Sequence, residues 1–525
     1  MKHYFKFLLL LILWCSSSIA ITGCTTLQPE KERDISLAFS QPLHTTLGKA
    51  AASAIPADSI KSGFLVLNTG HDAFLKRFAL LDAAERAIDL QYYIWNSDKS
   101  GRVLAQQVLL VADRGVHIRL LLDDFNIGDR DELLLVMDAH PNIEIRVYNP
   151  NAARKGPVRK VLGLIGDFGR LNQRMHNKSF IVDGSVAIVG GRNIGDDYFD
   201  LNDELNFRDR DLLAVGPIVI DIAKSFDAYW NHERAFSITN IINGSSVDST
   251  EILTLRKSLE NKVQQDDLHY MESAANFSAD VSFNSWLSDM IWAPAELVYD
   301  QTLAIDDNSH TTRKRVANVL REIAKNTTRE LLIESAYLVP SDEGIALLKE
   351  LTESGVKVKA LTNSLASNDL TTNHSGYARR RIALLKNGAE LFELRHDAKS
   401  CHYLVVGTER CSENTLFGLH AKSIVFDRKA VFVGSFNLNQ RSIYLNSELA
   451  LIVYSPELAE IIAGDIEQNL LPENSWQVRL DDNNDLVWKG NIGDKETYYS
   501  HEPETGFWRR LNSGFFSVFP IEKYL

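Results

Sequence analysis

The sequence predicts an α/β protein made of duplicated domains, each a β-sheet flanked by helices, with one site at their pseudo-twofold interface. Three observations carry that expectation. A strand–helix–strand pattern occurs twice. A set of polar positions repeats at one constant spacing. The repeated positions include two copies of His-x-Lys-x₄-Asp.

The first copy of the pattern opens with a helix over residues 73–87, and the apolar run 87–94 reads as a buried strand. A second helix stops at Gly115, since glycine ends helices readily, and a strand over 116–123 follows. The later copy predicts a helix over 314–326, a strand over 331–338, a helix ending at Gly355 and a strand over 356–362. Buried strands alternating with helices indicate α/β layering.

The repeat is strict in the motif regions. His176 and His420 are 244 residues apart, and so are Lys178 and Lys422, Asp183 and Asp427, Asn193 and Asn437, and Glu204 and Glu448. Such a shared offset points to gene duplication. The first half then carries a short insertion around residues 206–210, after which Pro217 and Pro456 fall at an offset of 239.

At 525 residues and 45% hydrophobic content the chain has ample material for a large core. The expected division is a signal peptide over 1–23, a tether over 24–60, a first domain over 61–240 and a partly helical connector over 241–310. A second domain over 311–471 and an extension over 472–525 follow. The net charge of −13 argues against a groove that grips nucleic acid along its backbone, and any membrane contact must be local or apolar.

Met175 to Val182 has strand composition, and Asp183-Gly184 is a strong hairpin turn. Side chains alternate along a strand, so His176 and Lys178 share a face while Asp183 sits at the turn. Residues 419–426, with their turn at Asp427-Arg428, read the same way. The candidate catalytic set is His176, Lys178, Asp183, His420, Lys422 and Asp427, the aspartates acting as supports of the turns. Two histidines supply a nucleophile and a general acid, and two lysines supply charge for phosphate oxygens. Asn193 and Asn437 can donate to the same oxygens. Glu204 and Glu448 can orient the histidines, or merely pair with lysine at a strand end. Neither metal nor cofactor is expected, because Lys178 and Lys422 would repel a cation.

These residues resemble the phospholipase D superfamily. The second copy combines His420-Ala-Lys422, Asp427, Gly434-Ser-Phe-Asn437 and Gln440-Arg441-Ser442; the first combines His176-Asn-Lys178, Asp183 and Gly190-Gly-Arg-Asn193. The resemblance implies two α/β domains packed face to face, with His176 as nucleophile and His420 as general acid. A narrower similarity, to bacterial cardiolipin synthases of the class C type, rests on the blocks 206–217, 227–231, 292–294, 501–510 and 519–522. It implies transfer of a phosphatidyl group to phosphatidylglycerol. Phospholipids and a membrane surface are then the expected partners. A hydrolytic phospholipase D, a nuclease and a catalytically silent scaffold are the competing functions.

The N-terminus carries Lys2, Lys6 and an apolar run over 7–14, which reads as a signal peptide. The tetrad Ile21-Thr22-Gly23-Cys24 resembles a bacterial lipobox, with Cys24 as lipid site. Thr25 is not the aspartate of inner-membrane retention, so the expected location is the envelope, periplasm-facing, at the outer membrane; an uncleaved anchor is the alternative. In an oxidising compartment Cys401 and Cys411 are expected to form a disulfide near the second motif. The bases Arg154, Lys155, Arg159, Lys160, Arg170 and Arg174 flank an apolar stretch over 161–165 that suits either a headgroup-contacting loop or a packed helix. For the aromatic tail over 507–519, core packing is the favoured reading over an interfacial one.

Overall fold

The computed structural model describes residues 35–57, 60–126, 131–151, 167–241, 249–280, 283–302, 315–405, 411 and 415–517. The proposed signal peptide, Cys24 and most of the basic stretch lie outside the described residues.

Short β-branched and apolar runs form the strands. The first part of the chain gives β1 (Ser62–Leu67), β2 (Ala87–Tyr92), β3 (His117–Asp123), β4 (Ile143–Tyr148), β5 (Ser179–Val182), β6 (Val186–Gly190), β7 (Leu205–Arg208), β8 (Asp211–Val215), β9 (Ala235–Ser237) and β10 (Ile291–Ala293). The second gives β11 (Ala295–Tyr299), β12 (Glu330–Ser335), β13 (Lys357–Asn363), β14 (Glu390–Leu394), β15 (Leu416–Leu419), β16 (Lys422–Phe426), β17 (Ala430–Gly434), β18 (Leu449–Val453), β19 (Ser475–Leu480), β20 (Leu486–Ile492) and β21 (Lys495–Tyr499).

One sheet has the order β10-β1-β8-β6-β5-β2-β3-β4-β9 and the other β11-β18-β17-β16-β12-β13-β14-β19-β20-β21. The block β8-β6-β5-β2-β3-β4 of the first therefore has the same order as β18-β17-β16-β12-β13-β14 of the second. In both blocks three parallel strands adjoin three antiparallel ones. This is the duplicated α/β architecture expected from the sequence.

The crossover helices match as well. Lys99–Asp113 starts on Asp98, whose side chain accepts from the Gly101 N–H, and Asp342–Glu353 starts on Ser341, which accepts from the Gly344 N–H. Both helices are followed by a glycine in the left-handed region, Gly115 at φ 93° and Gly355 at φ 92°.

One apolar core lies between the two halves. It joins Ile181, Val189 and Leu212 of the first sheet to Leu332, Val425, Val433 and Leu451 of the second, with the helices Ile218–Trp230 and Pro456–Asn469 packed into it. Separate cores back each sheet on its outer side. The stretch read as a connector forms the helices Ser249–Asp266 and Leu268–Asp280 against the first half, then gives β10 to one sheet and β11 to the other. Among the described residues no helix is long and apolar enough to cross a membrane.

The motif strands are shorter than expected. Residues 175–178 precede β5 rather than belonging to it, and residues 419–426 divide into β15 and β16 with a break at His420-Ala421. The reason is hydrogen bonding across the interface. The His176 N–H donates to the Ser447 carbonyl at 2.9 Å, and the His420 N–H to the Arg208 carbonyl at 2.8 Å. Each histidine backbone leaves its own sheet to pair with the other half.

Candidate active site

Both motif histidines line one cavity of about 730 Å³ at the junction of the halves. His176 Nδ1 lies 2.8 Å from Glu448 Oε2, and His420 Nδ1 lies 2.5 Å from Asp209 Oδ2. A carboxylate only accepts, so each Nδ1 carries the proton and each Nε2 keeps a lone pair free for chemistry. The two contacts are exchanged between halves: each ring is held by a carboxylate of the opposite repeat.

Glu448 is buried and accepts further bonds from Ser435 Oγ at 2.6 Å and Ser442 Oγ at 2.7 Å. Burial pushes its carboxyl up, but His176 and Lys178 hold it below its usual value. Asp209 is likewise held well down against burial, by His420 and Lys422. Burial lowers the rings themselves, His176 to about 4 and His420 to about 3, aided by the lysine charges. Both imidazoles are therefore neutral, and both carboxylates ionised, at neutral pH.

Glu204 does not orient a histidine. It is exposed, and its carbonyl accepts the Leu416 N–H at the start of β15. The insertion around residues 206–210 is the reason. It forms β7, which pairs in parallel with β15, and the excursion shifts the register of everything after it. Gly190 lies opposite Asp211 and Gly434 opposite Ala450, so the residue equivalent to Glu448 is Asp209, at the 239-residue offset also shown by Pro217 and Pro456. That second offset was the signal for Asp209.

The lysines are buried behind the histidines. Lys178 Nζ donates to the His176 carbonyl at 2.6 Å, and Lys422 Nζ donates to the His420 carbonyl. Burial lowers Lys178 to about 7 and Lys422 to about 8. Asn193 and Asn437 both line the cavity; the Asn193 side-chain oxygen accepts the Ile94 N–H at 3.2 Å, which leaves its amide group as a donor.

Asp183 and Asp427, included in the candidate catalytic set, bond to backbone instead. Asp183 accepts from the N–H groups of Glu85, Arg86 and Ala87 at 2.8–3.0 Å, and Asp427 from those of Thr328, Arg329 and Glu330 at 2.7–3.1 Å. They fasten the hairpin turn to the strand beside it.

Sequence reasoning missed the aromatic walls. Tyr93 stands edge-on to His176 at 5.0 Å, and Tyr198 edge-on to His420 at 5.1 Å. Tyr337, bonded to Asp369 at 3.0 Å, also lines the cavity and stands 244 residues after Tyr93, a spacing readable in the sequence. Arg174 and Arg441 line the side nearer His176; Arg174 pairs with Asp123 at 3.1 Å. Near the second motif Cys401 and Cys411 are joined by a disulfide, their Cα atoms 5.8 Å apart.

The chain matches the family model described as "Cardiolipin synthase, PLD-like domain" over residues 78–230 and again over 320–470. It is 38% identical to cardiolipin synthase C of Escherichia coli, over 88% of this chain and 95% of that one. It is 23% identical to the major cardiolipin synthase ClsA of Bacillus subtilis, over 77% of this chain and 68% of the other. Among solved structures it resembles phosphatidylserine synthase from Haemophilus influenzae, with a TM-score of 0.52 and 13% identity over 82% of this chain and 91% of that chain, a likeness of fold. Two matches to one domain model, at the two histidine motifs that share this cavity, establish that the chain belongs to the cardiolipin synthase family of phospholipase-D-like enzymes.

Proposed function

We propose that the protein moves a phosphatidyl group between phospholipids through a phosphohistidine, forming cardiolipin from phosphatidylglycerol and a second phospholipid. The observation that carries this reading is the pair of histidines facing one cavity, each Nδ1 anchored by the opposite half. As the phosphodiester binds, His420 Nε2 takes up a proton from solvent; His176 Nε2 then attacks phosphorus as the P–O bond to the leaving alcohol breaks, and the His420 Nε2–H gives that alcohol its proton. His420 then takes the proton of the acceptor hydroxyl, whose oxygen attacks phosphorus and frees His176. The entering phosphodiester is anionic. Its charge opposes the lysine charges that hold His420 down, and so favours proton uptake there. Asn193 and Asn437 line the cavity where they can donate to the nonbridging oxygens, and Lys178 and Lys422, buried behind the histidines, add positive charge from beneath. The likeness to E. coli cardiolipin synthase C supports the lipid substrate.

Purified protein is expected to convert vesicles of phosphatidylglycerol and phosphatidylethanolamine to cardiolipin in EDTA, and His176→Ala to abolish the conversion. Headgroup release without cardiolipin would favour hydrolysis. Cleavage of DNA without lipid turnover would overturn both readings. We further propose anchoring to the bacterial envelope through a lipidated Cys24; metabolic labelling with palmitate is expected to mark the wild type and not Cys24→Ser.

A further inference from the structure

We propose that the helix Phe507–Phe516 and the apolar rim of the cavity form one surface that docks on a lipid bilayer and sets the active-site mouth at headgroup level. This rests on the reading that the substrates are membrane phospholipids. The sequence favours core packing for this tail, and the structure departs from it. Phe507 is 64% exposed, Trp508 73%, Leu511 49% and Phe515 59%. At 3.6 residues per turn these four positions fall within an arc of about 100°. Buried Ser513 lies on the opposite side, where the helix packs against the helix Thr371–Lys386. The exposed stripe is thus the face turned away from the protein.

Its position ties it to the site. Arg509 Nη2 donates to the Asn368 carbonyl at 2.6 Å, and the next residues, Asp369 and Leu370, line the cavity. Leu370 is exposed, as are Phe125 and Phe168, which line the cavity from the first half. Exposed apolar groups therefore stand on both sides of the mouth, and the helix that carries the exposed stripe is fastened to that rim at Asn368. Exposed apolar groups gathered in this way mark an interaction surface.

The occupant is a bilayer for two reasons. A diacyl lipid that reacts at this cavity keeps its chains in the membrane, because each methylene drawn into water costs free energy, so the mouth has to meet the headgroup layer. The chain also carries a net charge of −13, which opposes general attraction to anionic lipid and leaves apolar insertion as the means of contact. Tryptophan flanked by arginine, as in Trp508-Arg509-Arg510, suits the interface between chains and headgroups.

The test uses the full chain with vesicles of phosphatidylglycerol and phosphatidylethanolamine, with and without bromine on the acyl chains. The fluorescence difference between wild type and Trp508→Phe isolates Trp508, and brominated chains are expected to quench that signal. The pair Trp508→Ser with Leu511→Ser is expected to lower turnover of vesicle lipid by about tenfold or more. Turnover of short-chain lipid dispersed as monomers should be unchanged. An unquenched Trp508 overturns docking, as does equal loss on both substrates. A dimer of the wild type that the serine pair converts to monomer would show a second copy on this face and also overturn it. Quenched Trp508 in a protein that turns over neither lipid would sustain docking and refute the transfer reaction.

Discussion

His420 is held by Asp209, a residue 211 positions earlier and on the opposite repeat, through a 2.5 Å contact between Nδ1 and Oδ2. The proton of the proposed general acid is thus governed by the other half of the molecule. Asp209→Asn leaves the size of the side chain intact but removes its charge and allows the wrong imidazole tautomer. By analogy with orienting carboxylates in other histidine catalysts, turnover should drop by about 10²–10⁴-fold. Glu204→Gln, at an exposed position, should leave turnover near wild type. Equal losses in the two variants would return Glu204 to the site.

The lysines set the expected alkaline limb. Burial lowers Lys178 to about 7 and Lys422 to about 8. Each is cationic below its own value and loses that charge as pH rises through it. If the charge stabilises phosphate oxygens, kcat/KM falls as pH rises across this window. On the acid side the free His176 ring stays neutral, and so nucleophilic, until pH approaches about 4. A profile level up to about pH 10, the ordinary lysine range, would separate the ammonium groups from the chemistry.

Gly191 sits where the close approach of Asp209 leaves no room. A Cβ there would lie 2.3 Å from Asp209 Oδ1. The equivalent position in the second half is Ser435, whose hydroxyl instead donates to Glu448. Gly191→Ala is expected to displace Asp209 and cost up to about 10²-fold in kcat, since small misplacements carry large penalties. Gly169→Ala, at a position with open space around it, is the control and should be silent. Unchanged kcat in Gly191→Ala would mean that Asp209 tolerates displacement.

The offset of 244 residues made the duplication, the histidines and the lysines legible, because gene duplication preserved spacing through β5, β6 and their counterparts. It misled at Glu204. An insertion that becomes β7 changes the register without announcing which side of it a carboxylate falls on, and only the pairing of Gly190 with Asp211 decides. Strand parity sets Asp183 and Asp427 apart from the histidines, and both carboxylates bond to backbone, but parity assumes a continuous strand. The break at His420-Ala421 comes from pairing with Arg208, a contact 212 residues away that local pattern cannot reveal. Tyr198 stands next to His420 through the same interface and has no local signal.

Asp427 supports the second repeat by accepting three backbone N–H groups and the Thr328 hydroxyl. Those bonds hold its carboxyl below the usual value against the effect of burial. A lowered value means that this contribution is present above the carboxyl's unfolded value, about 3.9, and is lost as pH falls through the folded one. Asp427→Ala leaves the N–H groups of residues 328–330 without their acceptor beside β12. It is expected to lower stability by about 1.5–3 kcal/mol, the range for hydrogen bonds to charged groups. Denaturant titration followed by intrinsic fluorescence measures the loss. Because the side chain meets backbone rather than the cavity, kcat of the protein that remains folded should stay within about threefold of wild type, a change of no more than about 0.65 kcal/mol in the barrier. A large fall in kcat with an unchanged denaturation midpoint would assign Asp427 to the chemistry instead.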